Sequence, residues 1–223
     1  MVVAAVVPAG RVALVAGATG LVGRAVLAAL LTDRCYAAVH VLGRRPLVEQ
    51  HPKLNSHQVD FARLPDLPAV DDVFIALGTT IKVAGSEQAF RAIDFGAVLA
   101  VASAARKAGA TRLGVVSAMG ADTNAKIFYN RVKGEMEQAL QGLGFKTLVI
   151  ARPSMLAGDR AALAQPARPG ERIGLVLMAA FKRFIPANYQ AIRARDVATA
   201  LVAAVQEDRP GSRVLRSGDM QPR

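Results

Sequence analysis

The sequence predicts an α/β fold built on a doubly wound parallel sheet. Short runs rich in Val, Ile and Leu alternate with amphipathic stretches through the first two thirds of the chain, as parallel strands covered on both faces do. A glycine-rich turn joins the first apolar run to a second, which predicts a strand, a turn and a helix. The 223 residues, 52% of them hydrophobic, suit one domain with a large core.

Six strands are predicted, and their carboxyl ends should share one edge of the sheet. They occupy Val12–Ala16, Ala37–Leu42, a short run ending at Val59, Asp72–Leu77, Arg112–Ala118 and Lys146–Arg152. The stretches between them predict helices at Ala25–Leu31, Ser86–Lys107 and Lys126–Leu143. Because crossovers between parallel strands are right-handed, we expect ligands at the edge where these strands end.

The pattern loosens after Arg152, where several prolines punctuate the chain. Beyond them we expect a short helix, a small strand, a second helix and a last strand, at Ile173–Phe184, Tyr189–Ile192, Arg195–Gln206 and Val214-Leu215 respectively. This segment is too short for an independent core. We therefore expect a single domain over residues 1–223, in which residues from about 153 to 223 contribute a small lid on the substrate side.

The turn Gly17-Ala18-Thr19-Gly20-Leu21-Val22-Gly23 carries the strongest functional signal. Between a strand and a helix, the first glycine permits a tight turn and the second lets the backbone approach a pyrophosphate. The third glycine lets the helix pack closely on the strand. Free N–H groups and the dipole at the helix start then favour phosphate. The turn predicts a dinucleotide site, and the alternative is an ordinary glycine-rich loop.

The end of the second strand indicates which dinucleotide is bound. Leu42-Gly43 is followed by Arg44 and Arg45, at the place where an acidic residue would hydrogen-bond the 2′-hydroxyl of NAD. Guanidinium groups favour a 2′-phosphate by charge and by bidentate geometry. We therefore expect NADP(H) as the cofactor; the alternative is that both arginines are solvated surface charges.

Three residues predict acid–base chemistry at the same edge. Tyr129 and Lys133 lie on one face of the predicted helix, and Ser117 stands at the end of the strand before it. A phenol with a pKa of about 10 is a poor acid at neutral pH, but a neighbouring ammonium group lowers that pKa. With the serine hydroxyl on the substrate oxygen, this set can move a proton at a carbonyl group while hydride transfers.

These motifs together resemble the short-chain dehydrogenase/reductase superfamily, and the resemblance implies a Rossmann fold. More narrowly, residues from about Val12 to Val205 resemble its atypical, Tat-interacting-protein-like group of NAD(P)H-binding proteins. The motifs that carry this resemblance are Gly43-Arg44-Arg45, Val59-Asp60-Phe61, Leu77-Gly78-Thr79-Thr80, Ser117-Ala118-Met119-Gly120-Ala121, Tyr129-Asn130-Arg131-Val132-Lys133-Gly134-Glu135 and Arg152-Pro153-Ser154. Many members have a second serine where Ala118 stands here. The resemblance is specific for fold and cofactor, and says little about the substrate.

The resemblance implies a cofactor site along the carboxyl ends of the strands. The site begins at the glycine turn, from Gly17 to Gly23, and continues along the ends of the other strands. The implied contacts are Thr19, Gly20, Leu21 and Val22 with the phosphates, Arg44 and Arg45 with the 2′-phosphate, Asp60 and Phe61 with the adenine, Leu77, Gly78 and Thr79 at the end of the fourth strand, Leu156 with the nicotinamide, and Arg168 as a further contact. Each secondary contact has a structural alternative, such as a turn for Asp60 or the core for Phe61.

Charge and composition argue against several other classes of protein. The net charge is +11, but the basic residues are scattered, so nucleic acid is not expected as the main partner. No apolar run approaches the ~20 residues that span a bilayer, and the three His residues lack metal-ligand spacing. Cys35 is the only cysteine, so we expect no internal disulfide and a reducing cytoplasm. Glu135 and Glu137 are expected to lie in solvent.

We expect an NADPH-dependent oxidoreductase that reduces a small carbonyl compound. Tyr129 would donate the proton, Lys133 would stabilise the phenolate and bind the ribose, and Ser117 would hold the substrate oxygen. The alternative is a regulator or scaffold that senses the NADPH/NADP ratio, because little chain remains for a selective substrate pocket. The resemblance also implies a homodimer that pairs through two long helices.

Overall fold

The computed structural model describes residues 10–157 and 186–222, and it contains a seven-stranded parallel sheet. The strands of this sheet are β1 (Arg11–Ala16), β2 (Tyr36–Gly43), β3 (Leu54–Gln58), β4 (Asp72–Ile75), β5 (Arg112–Val116), β6 (Thr147–Arg152) and β9 (Gly211–Arg216). Two short strands, β7 (Leu156–Ala157) and β8 (Ile192–Arg193), pair separately. The order across the sheet is β3-β2-β1-β4-β5-β6-β9. Since this order extends outward from β1 in both directions, the predicted doubly wound sheet is confirmed.

Helices cover both faces of this sheet. They are α1 (Leu21–Thr32), α2 (Ile81–Ala84), α3 (Glu87–Arg91), α4 (Val98–Lys107), α5 (Phe128–Gln141) and α6 (Ala194–Gln206), with 3-10 turns at Ala187–Tyr189 and Ser217–Met220. Leu30 of α1 and Leu201 of α6 lie in the core on one face. Val101 of α4 and Leu140 of α5 lie in the core on the other. The apolar faces of the helices therefore hold the strand ends in place.

Two strands end earlier than the sequence predicts, and both ends matter for the site. β4 ends at Ile75 and β5 ends at Val116, two residues before the predicted ends at Leu77 and Ala118. Leu77 and Ser117 therefore lie in loops just beyond the sheet. These loops form the carboxyl edge, which is where doubly wound sheets bind their ligands.

The helical segment after β4 is not regular, although the sequence predicts one amphipathic helix there. Between α3 and α4 the chain forms a π-helical segment, Ala92–Ala97. Asp94 lies within this segment and is fully buried. A π-helical turn widens the helix locally and is found frequently at functional sites. The irregular turn therefore marks the part of this helix that faces the carboxyl edge.

One helix among the described residues, Glu87–Lys107, is long and apolar enough to cross a membrane by length and composition alone. The sequence pattern instead predicts an amphipathic helix over Ser86–Lys107. In the structure Val98, Val101 and Ala105 of this helix are buried in the protein core. The apolar composition is therefore explained by packing on the sheet.

The described part of the C-terminal region contributes to the sheet layers. β9 pairs with β6, and α6 packs beside α1. A Cβ at Gly114 would lie 2.9 Å from a methyl group of Val205, so α6 packs directly on β5. The small strand predicted at Tyr189–Ile192 is instead a 3-10 turn followed by β8. The helix predicted at Ile173–Phe184 lies outside the described residues, and the lid stays a prediction.

At the amino edge of the sheet, a buried carboxylate is surrounded by donors. Asp72 is fully buried, accepts a hydrogen bond of 2.7 Å from the Tyr36 hydroxyl and pairs with Arg112. Arg11 lies 3.5 Å from the same carboxylate. Burial, together with the Asp72 charge, raises the pKa of Tyr36 above its ordinary value. This amino-edge network, Asp72 with Tyr36, Arg112 and Arg11, joins β1, β2, β4 and β5.

Candidate cofactor and active site

The glycine turn between β1 and α1 needs glycine at two positions for reasons of backbone packing. Gly17 has a φ of +90°, which favours glycine, and a Cβ there would lie 2.5 Å from the carbonyl oxygen of Ala76. A Cβ at Gly23 would lie 2.0 Å from the carbonyl oxygen of Gly17. These contacts explain how the turn folds tightly against the end of β4.

Gly20, in contrast, is not required by the protein's own atoms. Its φ is −82°, and a Cβ there would meet nothing closer than 3.4 Å. Gly20 is also the N-cap of α1, a helix with no side-chain cap and no acidic residue in its first turn. The first N–H groups of a helix need partners, and a phosphate supplies them. The turn therefore fits a pyrophosphate, with Thr19, Leu21 and Val22 beside it.

Arg44 and Arg45 follow β2 at the same edge, and both side chains are exposed. The backbone is held by Gln58, whose side-chain amide donates to the carbonyl oxygen of Arg44 at 3.3 Å. Neither guanidinium group has an acidic partner within residues 10–157 and 186–222. Two unpaired cations beside a predicted ribose position match an anionic ligand such as a 2′-phosphate.

The two residues predicted to contact the adenine, Asp60 and Phe61, each make contacts within the protein. The Asp60 carboxylate accepts a hydrogen bond from the backbone N–H of Ala62 at 2.9 Å, which closes a local turn. Phe61 and Leu77 are half-buried and pack against the core on the α4 and α5 face. Leu156, predicted to face the nicotinamide, lies in β7 and packs against the core on the α1 and α6 face. Arg168 lies outside the described residues.

The loop after β4 meets the π-helical segment. The backbone N–H of Thr79 donates to Asp94 Oδ2 at 2.9 Å. A Cβ at Gly78 would lie 3.4 Å from Asp94 Oδ1 and 3.9 Å from Lys133 Nζ. The predicted cofactor loop and the predicted catalytic lysine are thus adjacent in the structure.

Lys133 and Asp94 form a buried ion pair. Nζ of Lys133 lies 2.7 Å from Asp94 Oδ1, and the side chains are 3% and 1% exposed. The approach is outside hydrogen-bond geometry, so Oδ1 has no hydrogen-bond partner among the described residues. A buried carboxylate oxygen without a hydrogen-bond partner is unusual in native proteins. The ammonium group retains donors for a ligand, although Asp94 offsets part of its charge.

Tyr129 lies one helical turn before Lys133 on α5 and is half-buried. Its ring packs against the buried Phe90, with centroids 5.3 Å apart. The phenolic hydroxyl has no hydrogen bond to any residue that the structure describes. The ring is therefore held by packing, while the acidic group has no protein partner in this part of the chain.

Ser117 lies just beyond β5, but its hydroxyl is already engaged. It donates to Oε1 of Glu137, which is 4% exposed. Arg152 binds the same carboxylate, with Nε 3.0 Å from Oε1 and a terminal nitrogen 2.5 Å from Oε2. The hydrogen bonds to Glu137 raise the pKa of the Arg152 guanidinium. The prediction that Glu137 lies in solvent is therefore wrong, because two polar partners satisfy its carboxylate in the interior.

Sequence reasoning did not identify Asp94, Glu137 and Arg152 as parts of this site. Glu137 could have been found, since it lies one helical turn beyond Lys133 on the Tyr129–Lys133 face. Arg152 belongs to the Arg152-Pro153-Ser154 motif, but nothing in the sequence pairs it with Glu137. Asp94 was hidden by the π-helical segment, which breaks the regular helical period.

The histidines lie away from this site. His40 of β2 and His57 of β3 stack, with Nδ1 of His40 2.8 Å from Nε2 of His57. Burial, with His57 beside it, lowers the pKa of His40. Within residues 10–157 and 186–222 no group of three or more His, Cys, Asp or Glu side chains could hold a metal ion.

Comparison with known proteins identifies a nucleotide-binding domain. A family model described as NAD(P)H-binding matches residues 17–208. Protein HTATIP2 of Rattus norvegicus is 35% identical over 162 residues, which cover 70% of this chain and 65% of the rat protein. Protein FMP52, mitochondrial, of Eremothecium gossypii is 36% identical over 151 residues, which cover 66% of this chain and 67% of the fungal protein. The chain thus spans just under two thirds of the rat protein's length.

Solved structures share the fold. MoeE5 in complex with UDP-glucose and NAD has a TM-score of 0.69 at 19% identity, and the match covers 92% of this chain and 75% of that one. A short chain dehydrogenase family protein from Francisella tularensis has a TM-score of 0.69 at 13% identity and covers 95% and 99%. At these identities the likeness concerns the fold alone, and it confirms the predicted Rossmann architecture.

The prediction of a cytoplasmic location is wrong. Protein FMP52 of Debaryomyces hansenii, 33% identical over 153 residues, is named mitochondrial, as is the Eremothecium gossypii protein. The prediction depended on a single exposed cysteine. A lone cysteine indicates that disulfides are not needed, and this criterion does not distinguish one reducing compartment from another.

Proposed function

The chain belongs to the NAD(P)H-binding family of atypical short-chain dehydrogenases/reductases, and we propose that it is an NADPH-dependent oxidoreductase that reduces a small carbonyl compound. One observation carries the proposal. A buried lysine, Lys133, lies beside the cofactor loop at Gly78, one helical turn beyond a tyrosine whose hydroxyl has no partner among the described residues. A phenol without a partner among the described residues, one helical turn from a buried cation at the carboxyl edge of the sheet, is suited to proton transfer.

The reaction assigns one task to each of four side chains. Tyr129 donates its proton to the substrate's carbonyl oxygen, and the Lys133 ammonium group stabilises the phenolate that remains. Asp94 holds Lys133 at the end of β4. Ser117, just beyond β5, holds the substrate oxygen through its hydroxyl group. A reduced nicotinamide cofactor, when bound, supplies the hydride.

The residues at the edge fit such a cofactor. The uncapped start of α1 and the open position at Gly20 suit the pyrophosphate. Arg44 and Arg45 suit a 2′-phosphate, and Leu77, Gly78, Thr79, Asp60, Phe61, Leu156 and Arg168 remain proposed contacts further along the cofactor. We therefore extend the family's NAD(P)H binding to a preference for NADPH over NADH.

Turnover by the purified chain tests the function. NADPH oxidation is followed with a panel of aldehydes and quinones, and then with the Tyr129→Phe variant on any substrate found. We expect kcat to fall by a factor of about 10² to 10⁴, while the dissociation constant for NADPH, measured by fluorescence titration, stays within about twofold. Full activity of Tyr129→Phe would remove the proposed proton donor, and the absence of turnover on the whole panel would refute the reductase function.

The cofactor preference is tested with an arginine pair variant. In Arg44→Ala/Arg45→Ala we expect about a hundredfold loss of affinity for NADPH and little change for NADH, because charge-assisted hydrogen bonds to the 2′-phosphate are removed. Arg24→Ala, which removes an exposed arginine on α1, is the control for general charge loss. Equal losses for both cofactors would contradict the preference.

A second candidate function is a cofactor sensor with little or no turnover. One observation favours a sensor. Two of the three predicted catalytic groups already have acidic partners in the protein, since Ser117 contacts Glu137 and Lys133 contacts Asp94. A sensor must bind NADPH and NADP with different affinities, because a ligand with equal affinity for two states shifts no equilibrium. Equal dissociation constants for the two forms would exclude sensing, and turnover of any carbonyl compound would favour the enzyme.

A further inference from the structure

Exposed apolar side chains cluster on loops at the carboxyl edge of the sheet. Met119 and Met155 follow β5 and β6, Ile127 is the N-cap of α5, and Tyr189 precedes β8. These four residues, which we call the apolar rim, are between 39% and 64% exposed. Exposed apolar residues are ordinary where they are scattered singly, whereas a group of them marks a binding surface.

Backbone hydrogen bonds hold three parts of the rim together. The N–H group of Met119 donates to the carbonyl oxygen of Pro153 at 3.0 Å. The N–H group of Ile192 donates to the carbonyl oxygen of Met155, also at 3.0 Å. Tyr189 stands three residues before Ile192 in the sequence. The loops that carry Met119, Met155 and Tyr189 are therefore neighbours.

The rim adjoins both hydroxyl groups of the proposed reaction. Met119 lies two residues beyond Ser117, and Ile127 lies two residues before Tyr129. The loop after β5 also packs on the start of α5, since a Cβ at Gly120 would lie 2.9 Å from a side-chain atom of that helix. A carbonyl group bound by the two hydroxyls therefore lies beside the rim.

Three polar side chains near the rim are bonded to the protein's own backbone. Ser154 donates to the carbonyl oxygen of the residue after Tyr189. Asp122 accepts from an N–H group two residues further along at 2.8 Å, and Arg131 donates to a carbonyl oxygen of the loop before α5 at 3.0 Å. Lys126 is exposed, and its long side chain can keep the charge in water. What these loops offer to a ligand is therefore mainly apolar surface.

We propose that the substrate is an aliphatic aldehyde whose apolar chain packs against the apolar rim. The inference depends on the proposed reductase function and names its substrate class. Hydride moves from NADPH to the carbonyl carbon and the Tyr129 proton moves to the oxygen, so the chain takes no part in the bond changes. Ligand sites commonly divide the work in this way, with a few polar groups that fix orientation and apolar side chains around them.

The dependence of turnover on chain length tests the substrate class. NADPH oxidation is measured with propanal, butanal, hexanal and octanal. We expect kcat/KM to rise about two- to fourfold with each added methylene, because burial of apolar surface is favourable. Glyceraldehyde, which is similar in size to butanal but carries two hydroxyl groups, should be a poorer substrate than butanal. A series without this rise, or a preference for glyceraldehyde, would overturn the inference.

Variants of the rim locate the effect. Met119→Gln/Met155→Gln keeps the side-chain length and removes the apolar character, and Val48→Gln makes a similar change at a 97% exposed side chain in the loop after β2. The gain in kcat/KM from propanal to octanal should fall at least about tenfold in the rim variant and persist in the control. An unchanged gain in the rim variant would contradict the inference. If the rim variant does not fold, Ile127→Gln replaces it.

Coverage of the rim by a second copy of the chain gives a different result. Sedimentation equilibrium would then show a dimer that Met119→Gln/Met155→Gln dissociates, and kcat/KM would not rise along the aldehyde series. That outcome overturns the inference. A monomer, or a dimer that the rim variant leaves intact, agrees with it.

Binding of unreactive amides separates this inference from the proposed function. Propanamide, butanamide, hexanamide and octanamide carry a carbonyl group and the same chains, but a reduced nicotinamide does not reduce them. In calorimetric titrations of NADPH-loaded protein, we expect the dissociation constant to fall about two- to fourfold per methylene, and much less in the rim variant. If no carbonyl compound is turned over, the reductase function fails, but the amide series still decides whether the rim binds apolar chains. Equal affinities along the series would refute it.

Discussion

The two edges of the sheet each bury an aspartate, and the two aspartates differ in how fully they are satisfied. At the amino edge, Asp72 has Tyr36, Arg112 and Arg11 around it. At the carboxyl edge, Asp94 has the Thr79 N–H on one oxygen and only the off-axis Lys133 ammonium group at the other. Both carboxylates are buried to the same degree, so burial does not explain the difference.

The contrast separates stability from function. A fully paired buried network fixes four strands and leaves no group for a ligand. The carboxyl edge instead has hydrogen-bond donors and acceptors without protein partners among the described residues, at Asp94, Lys133, Tyr129 and the start of α1. Native proteins retain such groups where a ligand supplies the missing hydrogen bonds. Variants at the amino edge should therefore lose stability, whereas variants at the carboxyl edge should lose cofactor binding or turnover.

The largest expected effect is at the amino edge. Asp72→Ala leaves Arg112 and Tyr36 without their acceptor, and we expect the free energy of unfolding in urea to fall by about 3–5 kcal/mol. Asp66→Ala is the control, since its pair with Lys107 is exposed and should be worth less than about 1 kcal/mol. Both variants, where folded, should bind NADPH normally. A loss of cofactor affinity in Asp72→Ala would weaken the division between the edges.

Two glycines of one turn give the next test. Gly20→Ala should reduce NADPH affinity about tenfold through a clash with the pyrophosphate, and it should cost at most about 1 kcal/mol of stability. Gly23→Ala introduces a Cβ 2.0 Å from a carbonyl oxygen, and we expect it to cost about 1–3 kcal/mol of stability. Thermal unfolding and fluorescence titration measure the two quantities. Equal behaviour of the variants would contradict the ligand-based explanation for Gly20.

At Asp94 the expected effect is on kcat. The Asp94 carboxylate holds the Lys133 ammonium group beside Gly78, and Asp94→Asn removes the charge that holds it. We expect kcat to fall about tenfold, because a displaced Lys133 stabilises the Tyr129 phenolate less well. An unchanged kcat would show that the position of Lys133 does not matter for proton transfer. Asp66→Asn should leave kcat unchanged.

The smallest expected effect concerns alkaline stability. The pKa of Tyr36 is raised in the folded protein, so between the unfolded value of about 10 and the folded value the unfolded chain loses a proton that the folded chain keeps. Stability is therefore fully present below about pH 10 and should fall above it, by at most about 1.4 kcal/mol per pH unit. Tyr36→Phe should flatten this decline in urea unfolding series. An unchanged slope would mean that Tyr36 does not cause it.

The sequence predicted the fold because its signals are local. The predicted strands that begin at Val12, Ala37, Asp72, Arg112 and Lys146 are largely apolar runs, and the glycine turn stands where a strand meets a helix. A parallel sheet covered on both faces requires such runs. The role of Val214-Leu215 was predicted less fully, since nothing in the sequence places β9 beside β6.

Residue types and their positions in the sequence predicted the site residues. They did not predict the acidic residues that contact two of them. Tyr129, Lys133 and Ser117 do lie at one edge of the sheet, but Glu137 and Asp94 determine what two of them contact. These pairings join residues 39 and 20 positions apart in sequence, and a single sequence carries no signal for such pairs. In addition, the π-helical segment breaks the regular helical spacing, so the sequence pattern could not predict that Asp94 is buried.

The outermost strands determine how the molecule behaves towards its neighbours in concentrated solution. An open sheet border offers unpaired backbone groups to any other extended chain, and natural proteins protect such borders with charged or polar side chains. β9 carries Arg213 and Arg216 along its border, and β3 consists largely of Asn55, Ser56, His57 and Gln58. Neither strand is a favourable template for fibril growth, so we expect the two borders of the described sheet to resist the addition of strands from other molecules.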